Sequence, residues 1–178
     1  MDVGIVGLGA IGRQLCKALD DGIPGLRLAG ATARDRAKAT DFLKSLGSPA
    51  PFLTLDELIA ASGLIVEAST QQHLQEIAPK ALGAGRDLVV LSCGGLLGRQ
   101  DWVDLAAANR CRIIVPSAAI AGLDGVKGAR VGEISSVTME SRKPPRGLAG
   151  APWIVQQKID LGAITKETLV FEGPASEE

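Results

Sequence analysis

Three glycines, Gly7, Gly9 and Gly12, stand in the spacing G-x-G-x-x-G, directly after a short apolar run and directly before residues at helical spacing. In a chain with 22 glycines the spacing alone is weak evidence; its place at a first strand-to-helix turn is what gives it meaning. Glycine at the first position permits a tight turn, and at the second it lets backbone approach a pyrophosphate. At the third it lets the helix pack closely on the strand. Amides at a helix start lack intrahelical acceptors, and the helix dipole adds positive partial charge there. Gly7, Leu8, Gly9, Ala10, Ile11 and Gly12 are therefore the candidate dinucleotide-binding residues, set against the plainer reading of a structural turn.

The choice of dinucleotide depends on the end of the second strand, where an acidic residue serves the adenosine ribose of NAD. That stretch reads Gly30-Ala31-Thr32-Ala33-Arg34, with no acid at the expected position. Arg34, with Arg36 and Lys38 behind it, offers a partner to a 2′-phosphate, whereas Asp35 keeps the ribose role open. A third reading makes these charges the solvated first turn of a helix. The expected cofactor is NAD or NADP, with a lean toward NADP being accepted. Three further strand ends carry small or polar residues: Glu67-Ala68-Ser69, Ser92-Cys93-Gly94-Gly95 and Pro116-Ser117-Ala118-Ala119. Ligands of open α/β sheets lie beyond such carboxyl ends, so together these segments point to a cofactor groove.

The elements that must position these residues alternate along the chain. Short apolar strands are expected over 2–6, 26–31, 64–67, 87–91 and 112–115, with a brief one near Phe52. Helices are expected with Ile11, Leu15, Cys16, Ala18 and Leu19 on one face, then over 34–46, 56–61, 71–82 and 99–109. Near-continuous apolar strands alternating with amphipathic helices indicate an α/β, doubly wound parallel sheet of Rossmann type. After Pro116 the pattern changes, with strands expected over 131–141 and 168–171 around a loop holding Trp153. The expected organisation is a dinucleotide-binding domain over 1–116 and the start of a second, α+β domain over 117–178.

Composition narrows the partners. Of 178 residues, 46% are apolar and 22% charged, which suits a compact core. Nineteen Lys and Arg against 20 Asp and Glu leave no basic excess for nucleic acid or an acidic membrane. Three widely spaced cysteines form no C-x-x-C pair, so no metal site is expected and a reducing compartment fits. The start lacks a signal peptide's basic and long apolar regions, and no run approaches the ~20 residues of a membrane span. A cytoplasmic location is expected. Apolar surface after Val131, with an exposed sheet edge, predicts a homo-oligomer.

The motifs GLGAIG at 7–12, VEAS at 66–69, LSCGGL at 91–96, PSAAIAGLDG at 116–125, SRKPP at 141–145 and LVFEG at 169–173 resemble, in order, those of the L-aspartate dehydrogenases. The resemblance implies oxidation of L-aspartate by NAD(P)+ to iminosuccinate, which hydrolyses to oxaloacetate and ammonia or feeds NAD biosynthesis. It also implies that Ala68, Ser69, Ser92, Cys93 and Ala119 border the nicotinamide ribose and ring. Ser117 and Lys143 are candidate substrate contacts, Lys143 with Arg142 beside it and with a solvated strand end as the competing reading. Ala118, Ala121 and Gly95 depart from the family's usual small residues. In that family the catalytic histidine and a cofactor-contacting asparagine follow the FEG segment, past Glu178, so no catalytic residue is assigned. His73, the one histidine, does not match that position and reads as a helix-start residue. The general acid/base and much of a substrate domain are expected to be missing, which keeps a non-catalytic NAD(P)-binding module as an alternative. A dihydrodipicolinate-reductase-like enzyme is a further one, opposed by PSAAIAGLDG.

Overall fold

The computed structural model describes residues 1–117 and 122–174. The chain divides into two compact units, Met1–Ala119 and Ile120–Glu178.

The first unit is built on five parallel strands, β1 (Asp2–Val6), β2 (Arg27–Thr32), β3 (Leu64–Glu67), β4 (Asp87–Val90) and β5 (Ile113–Ile114), in the order β2-β1-β3-β4-β5. Helices α1 (Ala10–Gly22), α2 (Arg36–Lys44), α3 (Leu55–Ala61), α4 (Gln71–Gly83) and α5 (Gln100–Ala108) make the crossovers. A single parallel bridge, Ala31 to Phe52, adds the stub of a further strand outside β2. Counting that stub, the order is the Rossmann one, and the chain reverses direction of winding between β1 and β3.

Alternation along each strand divides the core in two, because successive side chains leave opposite faces of the sheet. Val3 and Ile5 join Cys16 and Leu19 of α1 and Phe42 and Leu43 of α2 on one face. Val6, Ile65, Leu88 and Val90 meet Leu58, Leu74, Leu82 and the fully enclosed Trp102 on the other. Both faces are covered, which is why the strands read as apolar runs rather than half-polar ones. Helix starts are capped by side chains at α2, α3 and α4: Asp35 takes Lys38 N, Thr54 and Glu57 form a reciprocal capping box, and Thr70 takes His73 N.

Two expectations fail in detail. Ile11 (59% exposed) and Ala18 do not join the buried face of α1, which is narrower than a simple helical stripe and consists of Gly12, Cys16 and Leu19. The expected strands over 131–141 and 168–171 do not form; among the described residues the second unit has no strand. It holds α6 (Leu123–Ala129), α7 (Pro152–Gln156) and two 3-10 turns instead. An isolated strand pair is marginal in water, and the alternating Val137 and Met139 both remain exposed with no partner strand among the unit's described residues. The 168–171 segment is pinned by Trp153, whose Nε1 donates to Val170 O at 2.8 Å and whose ring meets Phe171 edge-on at 5.1 Å.

Asp87 ties the sheet edge together, accepting from Arg112 N at 2.8 Å and from its guanidinium at 2.5 and 3.1 Å. These bonds to Arg112 hold the Asp87 carboxyl below its ordinary value. A depressed carboxyl contributes stability that is present above the unfolded value, near pH ~4, and lost as pH falls through the lower folded one. Asp87→Asn is expected to cost about 1 kcal/mol in urea unfolding at neutral pH, with the gap to wild type closing below pH ~4. A gap that persists in acid contradicts this role.

Candidate functional site

The turn from β1 into α1 is shaped by two close approaches. Gly7 has φ +98°, a left-handed conformation that disfavours a side chain, and a Cβ there would overlap Ala68 O. The β1–α1 turn and the β3–α4 turn therefore touch through backbone. A Cβ on Gly12 would overlap Gly7 O, so the first turn of α1 is pressed onto the end of β1. At Gly9 the opposite holds: a Cβ would meet nothing within 4 Å. The space beside Gly9 is open and faces outward.

Gly7 N is used in the sheet, donating to Thr32 O at 2.9 Å. The next amides are not used: the N–H groups of Leu8, Gly9, Ala10, Ile11 and Gly12 find no acceptor among the described residues. Gly9 is the N-cap of α1 and supplies no side-chain cap. A bare helix start of this kind, with its dipole behind it, attracts an anion.

Of these residues Leu8 and Gly9 line a groove of about 440 Å³ beyond the carboxyl ends of β1 and β3, whereas Ala10, Ile11 and Gly12 do not line it. Gly7, Leu8, Gly9, Arg34, Ala68 and Ser69 line it, bringing six of the sequence-derived candidates to one place. Arg13, Lys38, Thr70 and His73 also line it. Sequence reasoning missed Arg13, which is fixed from both sides: its Nε donates to Leu8 O at 3.1 Å and its guanidinium lies 4.9 Å over the Phe42 ring. Its position directly after the glycine motif hints at the groove, but the contact with Phe42 that fixes it is tertiary. His73 sits in the first turn of α4 with Nδ1 3.3 Å from Thr70 Oγ1, exposed at the rim.

Asp35 is occupied elsewhere. Its carboxylate caps α2 on Lys38 N at 3.1 Å and pairs with Lys38 Nζ at 3.3 Å. The backbone bond from Lys38 is the main reason its carboxyl lies below the ordinary range. Arg34 is exposed and makes no ion pair among the described residues.

The remaining candidates fall in three places. Ser92 follows β4, and Ser92 and Ser69 both bond to the carboxylate of Glu67, which the sequence shows only as the end of a strand. Cys93 opens a 3-10 turn and is half-buried, its Sγ donating to Val90 O at 3.4 Å. Ser117 is exposed, and Ala119 lies outside the described residues. Lys143 is exposed in the second unit; its neighbour Arg142 is engaged with Glu140 and Glu167. A second hollow, about 470 Å³, lies at the amino end of β2 beside Asp20 and Pro49. It has no glycine turn, and Asp20 is spent on Gly47 N and Ser48 N.

The bare amides, the open space at Gly9 and the cations Arg13, Arg34 and Lys38 around one groove fit a dinucleotide with its diphosphate at the helix start. Gly12→Ala is expected to cost about 2 kcal/mol or more in urea unfolding. Gly9→Ala should cost at most about 1 kcal/mol yet weaken NADP binding by roughly tenfold or more in a fluorescence titration. Equal effects of the two on binding and stability contradict the geometry.

Comparison with known proteins follows the same division. The family described as homoserine dehydrogenase, NAD binding domain, matches residues 7–116, and the one described as aspartate dehydrogenase, C-terminal, matches 124–178. The chain is 40% identical to the L-aspartate dehydrogenase of Methanosarcina barkeri over 99% of its own length and 67% of that protein. It is 45% identical to that of Bradyrhizobium diazoefficiens over 98% of its length and 62% of that protein. It thus spans about two thirds of the length of these relatives. Among solved structures, UDP-N-acetylglucosamine 3-dehydrogenase from Acidithiobacillus ferrooxidans matches with TM-score 0.59 at 17% identity, over 74% of this chain and 44% of that one. Biliverdin reductase from Synechocystis, in complex with biliverdin and NADP+, matches with TM-score 0.56 at 22% identity, over 86% and 50%. These two likenesses are of fold.

Proposed function

The chain belongs to the L-aspartate dehydrogenase family, and from that premise we propose that it binds NAD or NADP in the groove beside Gly9 and with it oxidises L-aspartate. The observation that carries the reading is the row of unused amides from Leu8 to Gly12 at the front of α1.

In this reading those amides and the dipole of α1 hold the diphosphate. The Arg34 guanidinium takes an adenosine 2′-phosphate, a role supported by its having no ion pair among the described residues and by the commitment of Asp35 to the α2 cap. Ala68, Ser69, Ser92, Cys93 and Ala119 border the nicotinamide end. The bound cofactor accepts a hydride from the substrate Cα–H, giving iminosuccinate, which water converts to oxaloacetate and ammonia. The two substrate carboxylates need fixed cationic or N–H partners, for which Ser117 and Lys143 are the candidates in this chain.

The proposal extends to a homo-oligomer acting in the cytoplasm. Exposed Val131, Val137, Met139 and Leu169 in the second unit support association, and three unpaired cysteines suit a reducing compartment. Size-exclusion chromatography showing a monomer at micromolar concentration contradicts the oligomer.

Mixing the protein with L-aspartate and NADP+ or NAD+ tests the activity: aspartate-dependent reduced nicotinamide absorbance supports the dehydrogenase reading for this chain. Cofactor binding without any such absorbance favours the non-catalytic NAD(P)-binding module, in keeping with a chain that spans about two thirds of its relatives. Arg34→Glu is expected to weaken NADP+ binding by about tenfold or more and NAD+ binding by less than about threefold. Equal effects on both remove Arg34 from the 2′-phosphate role.

A further inference from the structure

Glu67 ends β3 and is fully buried. Its neighbours on the sheet, Val6 across in β1 and Val90 across in β4, are apolar, and a strand covered on both faces has no structural need of an acid. A buried carboxylate is costly unless its lone pairs are filled. No cation fills them here: among the described residues Glu67 takes part in no ion pair.

Four serine donors do so instead. Ser69 N and Ser69 Oγ donate to Oε1 at 2.7 and 2.8 Å. Ser92 N donates to Oε2 and Ser92 Oγ to Oε1, both at 3.0 Å. One side chain thus joins the turn after β3 to the turn after β4. Each serine hydroxyl, having donated its proton inward, can only accept from a ligand. Acceptors at that place suit the N–H groups of a carboxamide.

We propose that Glu67 is a positioning residue for the cofactor: it fixes the Ser69 and Ser92 turns with both hydroxyls presented as acceptors. Its charge behind them favours the oxidised cofactor, whose nicotinamide ring is cationic, over the reduced one, whose ring is neutral. This rests on the cofactor reading above, which places the nicotinamide end at Ser69 and Ser92. A charge in a water-poor setting acts on a nearby cation with far less screening than in bulk water. Replacing the carboxylate by an amide removes that charge. It also offers N–H donors where the serine hydroxyls must donate, which reverses the hydrogen-bond polarity.

The test compares wild type, Glu67→Gln and Glu67→Asp by titration with oxidised and reduced cofactor, alongside amide hydrogen exchange. Wild type without cofactor is expected to protect the Ser69 and Ser92 amides strongly. Glu67→Gln is expected to lose on the order of tenfold more affinity for the oxidised than for the reduced form, whereas Glu67→Asp keeps the wild-type ratio within about threefold. A purely structural role would weaken both forms alike, and that result, or no change, overturns the proposal. Should Glu67→Gln not fold, the decision passes to Glu67→Asp and to exchange in wild type. An altered ratio in Glu67→Asp, or fast exchange at either serine amide, overturns it as well. If wild type binds neither form, the cofactor reading fails, while the exchange measurement still decides whether the tie exists.

Discussion

The whole arrangement rests on a short run of backbone amides that find no acceptor among the described residues. Unpaired polar groups are normally avoided in folded chains, and at most helix starts in the first unit a side chain supplies the missing partner, as Asp35, Thr54 and Thr70 do. At α1 no side chain does so, because the N-cap is Gly9. The absence of a cap and the absence of a Cβ are one property, and both leave room for an anion. Gly7 and Gly12 then hold the turn in place by backbone contacts that any larger residue would break.

Around this turn the charges are divided by task. Asp35 and Lys38 satisfy one another and the start of α2, and Arg13 is locked onto Leu8 O and Phe42, so Arg34 is the cation at the groove with no ion pair among the described residues. Behind Ser69, Glu67 is buried where an apolar residue would serve the sheet as well, and it organises two turns at once. A preference for oxidised cofactor follows from that placement by the same electrostatics that make a bare helix start attractive to phosphate.

Much of the first unit was legible in the sequence because its strands are buried on both faces, which writes them as apolar runs, and its glycine turn has a spacing tied to a mechanism. The segments 64–67 and 87–91 were placed within a residue of β3 and β4. What could not be read was tertiary: Arg13 looks like any surface helix residue until Phe42 is seen beneath it. Glu67 looks like a strand-end acid until two serines far apart in sequence converge on it. The exposure of Ile11 depends likewise on how α1 lies on the sheet. In the second unit the alternation over 131–141 resembled a strand, but a strand exists only through its partner, and the Trp153 bond to Val170 O took the 168–171 segment instead.

The most direct test is an amide-resolved NMR titration of the protein with NADP+. The account predicts that the N–H resonances of Leu8, Gly9, Ala10, Ile11 and Gly12 move downfield together and saturate at one affinity, as bare donors acquire a diphosphate acceptor. Binding that leaves those five resonances in place, or moves only residues around Asp20 and Pro49, contradicts it.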